Sequence, residues 1–167
     1  MSKKLNNRLK MYMDYKRELC KMDGVDGLRS PEEDYIRGIK SLLDHPEAAD
    51  WVPIMYNNRE VGFLLVITHE RLLHNGEDYR IEETYVMPKY RRKGLMSKAV
   101  KKYFREHHGR YSMQLMNTNL NATLFWFPII GKRLEGNMIR HDADDGTFML
   151  EVFFTIDDNW VKEKDGE

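Results

Sequence analysis

The stretch Tyr85-Val86-Met87-Pro88-Lys89-Tyr90-Arg91-Arg92-Lys93-Gly94-Leu95-Met96-Ser97 leaves a strand, turns at Pro88, becomes strongly basic and enters a helix at a glycine. Tyr79 to Met87 reads as the strand, since it is rich in β-branched and aromatic residues. Lys93 to about His108 reads as the helix, closed by Gly109, and Tyr111 to Met116 as the next strand. Two strands joined through a crossover helix need parallel pairing. Upstream, Trp51 to Asn57 and Glu60 to His69 read as a hairpin about the Asn57-Asn58 turn, which is antiparallel. The sheet is therefore mixed.

Working outward, Leu5, Leu9, Tyr12 and Leu19 fall on helical spacing and give an amphipathic first helix ending near Gly24. Ser30-Pro31-Glu32-Glu33 reads as a helix start with a capping box, and that helix runs to about Asp44, before His45-Pro46. His74-Asn75-Gly76 is a turn. Asn119 to roughly Phe127 is a short helix that Pro128 should end or kink, and Thr147 to Ile156 is a late strand. No repeat or linker interrupts the chain, so residues 1–167 read as one α/β (α+β) domain with a helical part over 1–45 and a core over 51–156.

The 167 residues are close to one domain's worth, with 41% hydrophobic and 32% charged residues, which excludes a disordered or fibrous chain. The longest apolar run, about Val61 to Ile67, is far short of the roughly 18 residues of a membrane span, and no secretory h-region follows Lys3-Lys4. The single cysteine, Cys20, forbids an internal disulfide and fits a reducing compartment, so a cytoplasmic protein is expected. Basic and acidic residues balance at 27 each, which argues against general nucleic-acid binding. Between Lys89 and Arg105, however, eight basic residues occur with no acidic one. A local basic segment in a neutral chain points to a local anionic ligand.

Physical chemistry narrows that ligand. A helix start leaves backbone N–H groups unpaired and carries about half a positive charge. Gly94 lets a ligand approach the backbone with no Cβ in the way. Together they make a cradle for a phosphate or diphosphate; the plain alternative is an ordinary strand-to-helix loop with a solvated basic face. The dinucleotide GxGxxG and the P-loop GxxxxGK[ST] are both missing.

The segment Val86-x-Pro88-x-Tyr90-Arg91-Arg92-Lys93-Gly94-Leu95 resembles the acetyl-CoA-binding segment of the GNAT superfamily of N-acetyltransferases, whose signature is [Q/R]-x-x-G-x-[G/A] after a strand. Arg91 and Gly94 fit, whereas Met96 stands where Gly or Ala is usual. A second element, Asn-x-x-Ala-x-x-[Phe/Leu]-[Tyr/Trp], is matched by Asn119, Ala122, Phe125 and Trp126, and the likeness spans about Trp51 to Phe154. It implies a mostly antiparallel sheet of about six strands, with the two parallel central strands splayed. It also implies acetyl-CoA as acyl donor, no metal, and a small-molecule or peptidyl amine as acceptor. Neither nucleic acid nor membrane is called for, and a homodimer is allowed. Backbone N–H groups of Arg92, Lys93, Gly94, Leu95 and Met96, with the Ser97 hydroxyl, would hold the diphosphate. The Val86 and Met87 backbone would pair with the pantetheine arm, which Asn119 would meet from the other side near Phe125 and Trp126. Phe125 is expected in the core.

An ammonium must lose a proton before it can attack a thioester. Glu82-Glu83 is similar to an acidic pair in family members that act on polyamines, so Glu82 is the first candidate for base or water-holder and Glu83 the second. A solvated strand carboxylate is the plain alternative for both. Where many relatives have a tyrosine that protonates the departing thiolate, Trp126 has no such proton; Tyr85, Tyr111 or water would serve, or no dedicated acid. An acyl-CoA-binding module without turnover is the second reading. His107-His108 lacks partners at metal-ligand spacing, and Asp142-x-Asp144-Asp145-Gly146 reads as a hairpin turn rather than a calcium loop. Family members usually begin with a strand, which residues 1–30 do not show.

Overall fold

The structure, a computed structural model, describes residues 3–136, 138–144 and 147–160. Two helices come first, α1 (Lys3–Met22) and α2 (Glu32–Asp44), then the antiparallel strands β1 (Ala49–Tyr56), β2 (Arg59–Ile67) and β3 (Tyr79–Val86). Helix α3 (Leu95–Glu106), strand β4 (Gly109–Met116), helix α4 (Leu120–Ile130) and strands β5 (Ile139–Asp142) and β6 (Phe148–Ile156) complete the order. The sheet runs β1-β2-β3-β4-β6-β5, and only β3 and β4 pair parallel. Among the described residues no strand precedes α1. No described helix is long and apolar enough to cross a membrane.

Alternation along β2 builds both layers. Leu64 and Val66 face one side, where they meet Val100 and Phe104 of α3, Trp126 and Ile130 of α4, and Trp160. Phe63, Leu65 and Ile67 face the other, against Met11, Tyr12, Met13 and Tyr15 of α1 and Ile39 of α2. The hairpin turn places Asn57 and Asn58 at φ +47° and +59°, the positive pair that a twisted two-residue hairpin requires. Pro53 is tolerated in β1 because that strand is the sheet edge. At Gly62 a Cβ would come 2.3 Å from the Tyr85 carbonyl oxygen, so only glycine lets β2 approach β3 there. Gly62→Ala should cost about 1–3 kcal/mol by prising these strands apart, read as a lower denaturant midpoint with an unchanged slope.

Three local expectations are corrected. The capping box at Ser30 and Glu33 does not form, because the helix starts one residue late and Pro31 takes the cap position without a side-chain bond. Glu32, Glu33 and Asp34 crowd the first turn instead, where the helix dipole favours them. Pro128 does not end α4, which continues to Ile130. Burial of Ile129 and Ile130 holds that last turn, and the Ile129 carbonyl accepts the Trp160 indole N–H at 3.2 Å. The helix expected from Lys93 starts at Leu95, after a 3₁₀ turn over Pro88–Tyr90. Strands β5 and β6 pair antiparallel with Asp142 opposite Phe148, and Ala143 N–H donates to Thr147 O; Asp145 and Gly146 of the expected hairpin turn lie outside the described residues.

Candidate active site

The parallel pair is short. Tyr79, Arg80 and Ile81 pair with Tyr111, Ser112 and Met113, and beyond Ile81 the two strands separate. From Gln114 to Met116, β4 stays paired with β6, while β3 stays paired with β2 as far as Val86. The result is a wedge with unpaired strand edges on both walls. Met87 donates its N–H to Val61 O at 2.9 Å, so antiparallel alternation turns the backbone groups of Val86 and Thr84 toward the wedge. Of the two expected backbone partners for a pantetheine arm, Val86 therefore faces the opening and the Met87 amide faces the other way.

The opening of α3 forms the floor. Lys98 N–H bonds Gly94 O at 3.0 Å, the first bond of the helix. Among the described residues, no protein acceptor meets the N–H groups of Leu95, Met96 or Ser97. Gly94 sits at φ +70° with nothing within 4 Å of an added Cβ, so the approach to these amides is open. Arg92 is also left-handed, at φ +59°, which aims the loop into the helix. A cavity of about 570 Å³ covers this floor, the size of a small-ligand site. Its wall includes Thr84, Tyr85 and Val86 of β3, Arg91 to Met96 save Lys93, Ser97, and Asn119, Phe125 and Trp126. The Lys93 ammonium instead lies 5.5 Å from the Tyr56 ring centroid, outside that wall.

Side chains on the wall have definite partners. Arg91 donates from Nε to Val86 O and from its terminal nitrogen to Glu18, both at 2.7 Å, clamping the loop to β3 and to α1. Asn119 caps α4 through Oδ1, which accepts from Ala122 N–H at 3.1 Å, so its amide nitrogen is the group left to meet a ligand. Trp126, not Phe125, is the buried member of its pair, because it points inward from α4 to the sheet while Phe125 stays half-buried on the wall. Tyr111 is fully buried with its hydroxyl on His107 O at 2.6 Å, which removes it as a proton donor to the cavity.

The two carboxylates are separated by a bulge. Leu65 pairs with Glu83 and Val66 with Ile81, so Glu82 is an extra residue in β3. The bulge reverses the side-chain parity, sending Ile81 toward α3 and Glu83 toward α1. Glu82 is 38% exposed and bonded to Arg80 at 3.0 Å. Glu83 is 14% exposed; its oxygens accept from the Tyr15 hydroxyl and the Lys16 ammonium. Burial pushes Glu83 above the usual carboxylate range, against the pull of Lys16. Burial, reinforced by Glu83, also raises Tyr15 far above an ordinary phenol, and Tyr12 is pushed up to about 12.

Helix α1 supplies what sequence reading did not identify. Tyr15, Glu18 and Met22 line the cavity beside β3, and Thr118 ties the end of α1 to the start of α4 by donating to Asp23 at 2.6 Å. The only sequence signal was the amphipathic spacing of that helix, which marks a buried face without saying what it covers.

A family model for the acetyltransferase (GNAT) family matches residues 11–126, from α1 through the wedge to Trp126. The chain belongs to the GNAT acetyltransferase family. Solved structures agree in fold. An acetyltransferase from Thermus thermophilus superposes with a TM-score of 0.61 at 14% identity, covering 90% of each chain. An N-acetyltransferase from Staphylococcus aureus gives 0.58 at 12% identity over 92% of this chain and 93% of its own. A ribosomal-protein-alanine N-acetyltransferase from Brucella melitensis gives 0.54 at 11% over 90% and 93%. No curated protein matches the sequence significantly. Within this GNAT fold, Arg91 and Gly94 lie at the α3 floor, and Asn119, Ala122, Phe125 and Trp126 lie on the α4 wall.

Proposed function

We propose that this GNAT protein is an acetyl-CoA-dependent N-acetyltransferase, in which a primary amine attacks the thioester directly. The observation that carries the reading is the set of unpartnered amides at Leu95, Met96 and Ser97 opening onto a wedge between two parting strands. Those amides, with Gly94 and the Ser97 hydroxyl, suit a diphosphate; Arg92 adds positive charge at the rim. The N–H of Val86, a residue whose carbonyl is already held by Arg91, and the Asn119 amide are placed to hold an extended arm from both sides. When bound, the thioester supplies the activated acetyl group.

For the base, geometry favours Glu83 over Glu82. Glu82 stands at the bulge in solvent with Arg80, whereas Glu83 is buried against a residue of the cavity wall. Glu82→Gln should therefore leave turnover within about twofold of wild type, measured as CoA thiol release. A tenfold loss would restore Glu82 as base.

A second reading, an acyl-CoA-binding module without turnover, draws on buried Trp126 at the position of a thiolate-protonating tyrosine. Calorimetry with acetyl-CoA, followed by thiol release across monoamines, polyamines, aminoglycosides and peptides, separates the two. Binding with release supports the enzyme; binding with no release from any amine supports the module; no binding sinks both.

A further inference from the structure

The acceptor must lose its proton inside the cavity, yet neither Glu82 nor Glu83 is among the lining residues. Tyr15 is. Its hydroxyl donates to one Glu83 oxygen while the Lys16 ammonium donates to the other, so the carboxylate is gripped at both ends. The Tyr15 ring is fixed edge-on to Phe63, centroids 5.9 Å apart, and tilted on Tyr85 at 5.5 Å. Lys16 is held in turn over the rings of Tyr12, Tyr15 and Tyr35 at 5.2, 5.3 and 5.9 Å. Two rigid supports thus hold one phenol on a buried carboxylate, in a side chain that also lines the cavity.

We infer that Tyr15 relays protons between the acceptor amine and Glu83, and that Lys16 is a positioning residue for that carboxylate. The inference rests on the acetyl-transfer reading above. The phenol oxygen takes a proton from the acceptor ammonium as its own proton passes to Glu83, so no tyrosinate accumulates. The freed amine nitrogen bonds to the thioester carbon and releases its second proton to solvent. When the carbon–sulfur bond breaks, the departing thiolate takes a proton from Tyr15, which recovers one from Glu83. One ammonium and one thioester become one amide, one thiol and one released proton. The same phenol thereby replaces the proton donor that Trp126 cannot supply. Burial suits both partners, since it raises the proton affinity of Glu83 and disfavours a free tyrosinate. The charged or titratable groups facing this pair are Tyr12 and Lys16 of α1, Tyr35 of α2, and Glu82 and Tyr85 of β3.

The test compares wild type with Tyr15→Phe, which removes one oxygen and keeps the ring packing. The nucleophiles are n-butylamine, an ammonium at neutral pH, and methoxyamine, which is already neutral there. Tyr15→Phe should lower kcat for n-butylamine by about 10²-fold and flatten the acid limb of its pH profile. Methoxyamine turnover should fall far less, and acetyl-CoA affinity by calorimetry should not change. Lys16→Met should shift that limb rather than remove it. Unchanged n-butylamine turnover and profile in Tyr15→Phe would overturn the relay while leaving acetyl transfer standing. Equal losses for both nucleophiles would overturn the relay from acceptor to Glu83, because a step common to both, thiolate protonation or ring packing, would then account for the whole loss. Wild type that binds acetyl-CoA but releases no thiol to either nucleophile would overturn the acetyl-transfer reading itself.

Discussion

Gly94→Val should abolish acetyl-CoA binding while the fold persists. The residue sits at φ +70°, where an L side chain costs roughly 1–2 kcal/mol, more for a β-branched one. Nothing in the protein lies within 4 Å of the added Cβ, so no core contact is disturbed. The new methyl groups project instead where a diphosphate must sit to reach the Leu95, Met96 and Ser97 amides. Charge-assisted hydrogen bonds contribute about 1.5–3 kcal/mol each. Losing two or more exceeds roughly a hundredfold in affinity, at 1.4 kcal/mol per tenfold. Calorimetry should show no binding, against a melting temperature lowered by only about 2–4 °C per kcal/mol of strain. A valine variant that binds like wild type would mean the ligand's anion lies elsewhere and would remove the floor of the proposed site.

Glu83→Gln should reduce turnover by about 10²–10⁴-fold, the usual worth of a positioned base, with acetyl-CoA affinity unchanged. In wild type, kcat should fall as acid protonates Glu83, and burial places that limb above the ordinary carboxylate range. The glutamine variant has no group to titrate there, so its residual activity should lack the limb. Removing the charge also leaves Lys16 without its counter-ion in a nearly closed site, so the variant should melt earlier than wild type. Activity must therefore be read below its melting range. Full activity with an unaltered profile would return the proton to solvent.

How much of this was legible beforehand follows the range of the interactions. The strands β2 and β3, the Asn57-Asn58 turn and the glycine at the mouth of α3 are local features, and each was read where it occurs. The bulge at Glu82 was not, because it is a mismatch between two strands: nothing in Ile81-Glu82-Glu83-Thr84 announces which residue will lack a partner. That one insertion reverses the order of the two carboxylates, exposing the first candidate and burying the second.

The sequence by itself determined the central parallel pair, through the length of the crossover between β3 and β4, and the anion-seeking helix start that follows it. Tertiary structure decided how the site is closed and charged. Arg91, expected at the ligand, clamps Glu18 and Val86 O, and the Met87 amide turns to Val61. Tyr15 and Lys16 reach Glu83 across 68 and 67 residues of chain. Spacing within one element fixes which face a side chain takes, but which distant helix packs on that face is set by burial shared among all of them.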